Sequence, residues 1–170
     1  MLQSIPVFDP GVTVGFCRGS GLASAAIGWF GGSYYSHVTT LLPDLRTVID
    51  ARLRGGVQRR PVSYLRGEQV DWYKLSCESS EANAVYRFLT AQLGKRYDVR
   101  GILDFVTGSN RDPHWTRRDA WFCDELAAAS WIAAGIAKRP FKHLPLFRIT
   151  PGGSALIFSQ LSYKPVTVRL

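Results

Sequence analysis

The chain has 170 residues, 46% hydrophobic and 20% charged, with a formal net charge of +8. That composition excludes a fibrous or disordered chain, and the length suits one domain spanning 1–170 with a core of its own. No apolar run approaches the roughly 20 residues that cross a bilayer, and the first ten residues lack a basic segment followed by an apolar one, so a cytoplasmic protein without a leader is expected. The three cysteines are widely spaced. They give neither a disulfide framework nor zinc spacing, so no metal and no cofactor is expected. Most of the positive charge is arginine, in short clusters: Arg52, Arg54, Arg59 and Arg60, then Arg117 and Arg118. These read as a solvated basic surface open to anionic contact. No nucleic-acid motif accompanies them, so nucleic acid is not an expected partner.

In chain order, Val12 to Cys17 alternate between glycines, which predicts a strand with Cys17 in the core. Leu22 to Phe30 is apolar on nearly all sides and reads as a short buried helix closed by Gly31-Gly32. Tyr34 to Leu42 is aromatic, β-branched and aliphatic, the composition of a strand. Pro43-Asp44 turns the chain into a second strand, Arg46 to Arg52, which makes a hairpin. Strand alternation puts His37 on one face with Thr39 and Leu41, and Asp50 on one face with Val48. Such a hairpin can set Asp50 across from His37, where a carboxylate would fix the imidazole tautomer and stabilise its charged form. Taken singly, His37 reads as a satisfied core histidine and Asp50 as a solvent-facing or arginine-paired residue.

Gly55-Gly56-Val57 leads into a short segment ending at Pro61, and Val70 to Leu75 reads as a strand. Ser79 or Ser80 is the expected N-cap of an amphipathic helix carrying Ala82, Val85, Leu89 and Leu93 and ending at Gly94. Tyr97 and Asp98 follow as turn residues or as part of a cleft wall. Val99 to Val106 reads as a short helix. Ser109 to Arg118 reads as a polar loop that could cover a site. It contains His114, a rival to His37 as a base.

Trp121-Phe122-Cys123-Asp124-Glu125-Leu126 then opens a helix running to Ala134, stopped by Gly135. Cys123, Leu126, Ala127, Ser130, Trp131 and Ala134 recur at helical spacing as one inward face. Cys123 falls in the first turn, beside unpaired N–H groups and the positive end of the macrodipole. That setting stabilises a thiolate and can bring a cysteine pKa from about 8.5 down to roughly 3.5–7.5. Asp124 and Glu125 oppose the effect. Read by itself, Cys123 is a small buried hydrophobe, as most free cysteines are. Lys138 to Pro145, with His143, reads as a surface connector. Thr150 to Gly153 reads as a turn capping one helical turn near Ser154, and Ser162 to Leu170 as a strand-like tail.

Several of these segments together resemble the circularly permuted branch of the NlpC/P60 papain-like superfamily. They are Tyr35-Ser36-His37-Val38, Val48 to Arg52 with Gly55-Gly56-Val57, Leu93 to Asp98, Phe122 to Leu126, and Ile149 to Gly152. Histidine precedes cysteine, as in that branch, and the likeness extends from about Gly11 to Leu156. The resemblance implies an α+β fold, an antiparallel sheet or partial barrel packed against helices. It also implies a cysteine hydrolase of amidase or peptidase type. Carried over by position, Cys123 is the nucleophile, His37 the base and Asp50 the orienting residue, with Tyr35, Tyr97 and Asp124 near the substrate. Asp124 departs from the small residue that often follows the cysteine in relatives, and Thr39-Thr40 stands where relatives often have Gly and an aliphatic residue. The implied substrate is a cell-wall peptide or a lipid-linked amide or ester, in a bacterial or phage-encoded protein. The competing readings are a lipid acyltransferase or esterase on the same fold, and a catalytically silent binding or phage assembly protein.

Overall fold

The computed structural model describes residues 11–18, 34–101, 119–136, 150–160, 164–166 and 168. The expectations for Leu22 to Phe30, for the His114 loop and for the His143 connector lie outside them. The described chain is a mixed α+β fold built on an antiparallel sheet. Its strands are β1 (Gly11–Arg18), β2 (His37–Leu41), β3 (Thr47–Arg52), β4 (Gly56–Pro61) and β5 (Gln69–Ser76), with β8 (Lys164–Val166) at one edge. The spatial order is β4-β3-β2-β1-β5-β8. A 3₁₀ turn, Val62–Leu65, joins β4 to β5. Two short parallel strands, β6 (Arg96–Tyr97) and β7 (Ala120–Trp121), form a second sheet. The helices are α1 (Ser79–Ala91), α2 (Cys123–Ala133) and α3 (Pro151–Gln160).

Period-2 side-chain alternation gives the main sheet two apolar faces. Val12, Val14 and Phe16 of β1, with Val38, Ile49 and Ala51, pack against the helices. Cys17, Leu41, Val48 and Trp72 form a second cluster with Val62 and Leu65 of the 3₁₀ turn. Cys17 lies directly opposite His37 in the β1–β2 register. His37 therefore shares the second face, as does Asp50, two residues from Val48. Their strands run antiparallel, so the opening of β2 and the close of β3 fall at the same end of the sheet.

Three sequence expectations are corrected here. The N-cap of α1 is Glu78, in a reciprocal capping box with Glu81, rather than Ser79 or Ser80. The segment after Thr150 is a ten-residue helix rather than a single turn. Helix α2 is buried on every side from Cys123 to Trp131, rather than along one stripe. It lies among the sheet, α1 and α3, and Phe158 of α3 closes on it with ring centroids 5.1 Å from Trp131 and 5.3 Å from Phe16. A helix hydrophobic all round belongs at the centre of a core. The helix stops where the sequence predicts, with Gly135 at φ 78°, a left-handed conformation that glycine adopts without a Cβ penalty.

Candidate functional site

Backbone pairing carries the tip of α2 to the His37 end of the sheet. Gly94 N–H donates to the Val57 carbonyl, and Val57 N–H donates to the Lys95 carbonyl, both at 2.9 Å. The edge strand β4 is thereby tied to the segment that becomes β6. Gly56 permits this approach, because its φ is +63° and a Cβ there would lie 2.0 Å from the Lys95 carbonyl oxygen. β6 then pairs with β7, Tyr97 beside Trp121, and Asp98 N–H donates to the Trp121 carbonyl at 3.1 Å. Two residues beyond Trp121 stands Cys123, the first residue of α2. Leu126 N–H is bonded to the Phe122 carbonyl at 3.0 Å. The N–H groups of Cys123, Asp124 and Glu125 precede it and have no partner within the helix.

The Cys123 sulfur lies near enough to the His37 ring to act on its charge. His37 Nε2 and the Asp50 carboxylate are 2.7 Å apart. All three residues are nearly closed to solvent, Cys123 at 4% exposure, His37 at 8% and Asp50 at 1%. Burial works against the imidazolium, yet the Cys123 sulfur and the Asp50 carboxylate outweigh it and lift the His37 pKa from 6.5 to about 9. Burial likewise works against the Asp50 carboxylate, but the hydrogen bond and charge of His37, then Tyr64 and Arg52, hold it down at about 2.

The antiparallel register pairs Thr40 with Ile49 and Leu41 with Val48. One step further, that register sets Asp50 opposite Thr39 and diagonal to His37, still within reach of a long side chain.

Asp50 has more partners than the sequence suggests. The Tyr64 hydroxyl donates to the same Oδ2 that His37 meets. Arg60 Nε donates to Oδ1 at 3.2 Å, and Arg52 Nε lies 3.4 Å from Oδ2. Arg52 also bonds the Tyr64 hydroxyl at 3.1 Å and Glu68 at 3.1 Å. Both guanidinium groups stand over the Tyr64 ring, 4.9 Å and 5.5 Å from its centroid. Arg52 and Arg60 thus turn toward the site instead of forming part of a solvated patch. Arg59 points elsewhere and pairs with Asp44 at 2.7 Å. Burial, followed by the Asp50 charge, pushes the Tyr64 hydroxyl pKa well up, so it remains a donor.

Tyr97 is half-buried, and burial and then the Cys123 sulfur raise its pKa. It belongs to β6 and is neither a loose turn residue nor distant from the cysteine. Tyr35, two residues before His37, donates to Asp71 at 2.6 Å, and Arg18 donates to the same carboxylate oxygen at 2.6 Å. Asp124 is wholly buried, and its Oδ2 accepts from the Ser154 hydroxyl of α3 at 3.0 Å. It joins two helices inside the core and does not stand on an open cleft wall. Burial raises its pKa to about 7, partly offset by Ser154 and by the His37 charge. Glu125 is wholly buried as well, raised to about 8 by burial and then by the Asp98 charge.

Sequence reasoning missed Tyr64 and the inward turn of Arg60. The signal for Arg60 was strand alternation: it pairs with Val48, two residues from Asp50. Tyr64 sits in a 3₁₀ turn without periodicity. Among the described residues, no three His, Cys, Asp or Glu side chains are grouped as a metal ion would need, and no helix is long and apolar enough to cross a membrane. No protein-family model matches the chain, and no curated protein matches it significantly.

Proposed function

We propose that the chain is a cysteine hydrolase of amidase or peptidase type, with the permuted papain-like architecture that its sequence motifs resemble. One observation carries this reading: Cys123, at the first residue of a buried helix, stands close enough to act on an imidazole whose Nε2 is 2.7 Å from a buried carboxylate. That order of nucleophile, base and orienting group is what acyl transfer through a covalent intermediate requires. His37 takes the thiol proton, and the resulting thiolate attacks the carbonyl carbon of an amide. The oxyanion meets N–H groups at the opening of α2, where backbone donors and the helix dipole favour negative charge. The tetrahedral adduct collapses as the C–N bond breaks, and His37 gives its proton to the departing amine. Water, deprotonated by His37, then attacks the thioester, releases the acid and restores the thiol. Asp50 keeps the imidazole in one tautomer and balances its charge throughout. The substrate class is a peptide of the cell wall or a lipid-linked amide.

The test combines labelling with turnover. Iodoacetamide should modify Cys123 quickly at pH 6, while Cys17 and Cys77, whose pKa values burial raises, stay slow. Hydrolysis of peptide-amide substrates should vanish in Cys123→Ala and His37→Ala proteins that remain folded. Equal turnover by wild type and Cys123→Ala would refute the proposal.

A further inference from the structure

The Asp50 carboxylate carries an unusual load for a group that is fully enclosed. Its side chain has 0% exposure, so no bulk water shares its charge. A carboxylate offers about four lone-pair positions, two on each oxygen. On Oδ2, His37 and the Tyr64 hydroxyl occupy both, with Arg52 a distant third at 3.4 Å. On Oδ1, Arg60 donates. Tyr64 and His37 therefore compete for one oxygen. What the phenol takes of its electron density, the imidazole does not receive.

We propose that Tyr64, backed by Arg52 and Arg60, is a positioning residue that divides the Asp50 carboxylate with His37 and so limits how tightly that carboxylate holds the imidazolium. The inference rests on the Cys123–His37–Asp50 reading above. It adds a regulator of the base, reached from the 3₁₀ turn after β4. Arg52 and Arg60 lie over the Tyr64 ring from two strands, and the ring's hydroxyl points at the carboxylate. Charge in this corner is nearly balanced. Arg52 is shared with Glu68 at 3.0 Å, and Arg60 faces Asp50 with its side chain only 20% exposed. From the other elements packed here, Cys17 of β1, Tyr97 of β6, and Cys123 and Asp124 of α2 also act on this group of charges. Unlike His37, Arg52 and Arg60, Tyr64 donates to the carboxylate without ever carrying a positive charge. Removing its hydroxyl changes hydrogen bonding without changing net charge.

The measurement is an NMR titration of the His37 ring in Cys123→Ala protein, which isolates the imidazole from the thiol. Adding Tyr64→Phe keeps the ring under both guanidinium groups and removes only the hydroxyl. The His37 titration midpoint should rise by about one pH unit, a tenfold change in the protonation equilibrium. In the same background Arg60→Gln should raise it too, and Arg60→Lys should return it toward the parent value. These arms carry the test if Tyr64→Phe does not fold. In protein with Cys123 intact, the alkaline limb of iodoacetamide labelling should move up with Tyr64→Phe. A merely structural role for Tyr64 would lower the melting temperature and leave the midpoint in place. An unchanged or lower midpoint in the folded variants overturns the inference. Failure of the hydrolase reading looks different: wild-type Cys123 would label slowly, and the titrations in the alanine background would be unaffected.

Discussion

Replacing Asp50 by asparagine keeps the outline of the side chain and removes the charge that offsets the burial of His37. The structure sets the size of the effect. With Asp50 and the Cys123 sulfur beside it, His37 rises to about 9 despite full enclosure. Without the carboxylate, burial is opposed by the sulfur alone, and the imidazole should return toward its ordinary 6.5. Each pH unit is worth about 1.4 kcal/mol, or tenfold. At pH 7 the ratio of imidazolium to neutral imidazole should therefore fall by up to about 300-fold, the full return from about 9 to 6.5 being about 2.5 pH units. Stability should fall as well, because Arg52 and Arg60 lose their carboxylate. Breaking a buried pair costs about 3–5 kcal/mol, and the lower end applies because these side chains keep 30% and 20% exposure. The assay is the pH profile of Cys123 alkylation from pH 5 to pH 10, with circular dichroism to confirm folding. Asp50→Asn should label more slowly below pH 8, and the difference should narrow as pH approaches 9, where His37 loses its proton in the wild type as well. A profile that superimposes on wild type would refute the argument that the carboxylate supports the imidazolium.

The link between β4 and β6 predicts that Gly56→Ala is disruptive. Its Cβ would meet the Lys95 carbonyl oxygen at 2.0 Å in a left-handed conformation, so the cost should exceed the roughly 1–3 kcal/mol of backbone strain alone, read as a lower melting temperature together with slower Cys123 labelling. A wild-type melting temperature would show that the close approach is not needed. Stability should also decline as pH rises from about 4 to about 7. Asp124 binds its proton more tightly folded, at about 7, than unfolded, at 3.8, so the folded chain holds the extra proton in that window and its advantage is lost through it. The difference is worth up to about 4 kcal/mol. Urea unfolding at a series of pH values should show the slope, and Asp124→Asn should reduce it to the share that Glu125, raised to about 8, contributes in the same direction; an equal slope in both proteins would exclude Asp124 as a source.

The hairpin bearing His37 and Asp50 was legible because strand alternation is a local signal, and turn residues mark where it folds back. Helix α2 was legible for the same reason, from an Ala- and Leu-rich run ended by a glycine. Its complete burial was not. A helix in contact with the sheet, α1 and α3 at once differs from an amphipathic one only through elements distant in sequence. Asp124 and Glu125 read from sequence as charges that oppose a thiolate, and only the docking of α3 shows that the Ser154 hydroxyl donates to Asp124 inside the core. The Tyr64 contact was invisible for a related reason. It depends on where β4 ends and on a 3₁₀ turn whose residues follow no repeating pattern. The capping box at Glu78 and Glu81 was within reach of the sequence, but the usual preference for serine at an N-cap drew the boundary one or two residues late.

The first turn of α2 holds two acids beside the sulfur, and in their charged form they would work against a nucleophilic cysteine. Burial changes the sign of that conclusion. With Asp124 raised to about 7 and Glu125 to about 8, both side chains are largely protonated in mildly acidic solution. Neutral acids leave the positive end of the helix dipole unopposed and add no repulsion to the thiolate. As pH rises past 8 they ionise inside the core, and their charge then sits beside the sulfur. His37 gives up its proton in the same range, at about 9, which removes the nearby positive charge as well. The same enclosure that permits a carboxylate, an imidazole and a sulfur to act on one another thus brings the titrations of Asp124, Glu125 and His37 together between about 7 and 9.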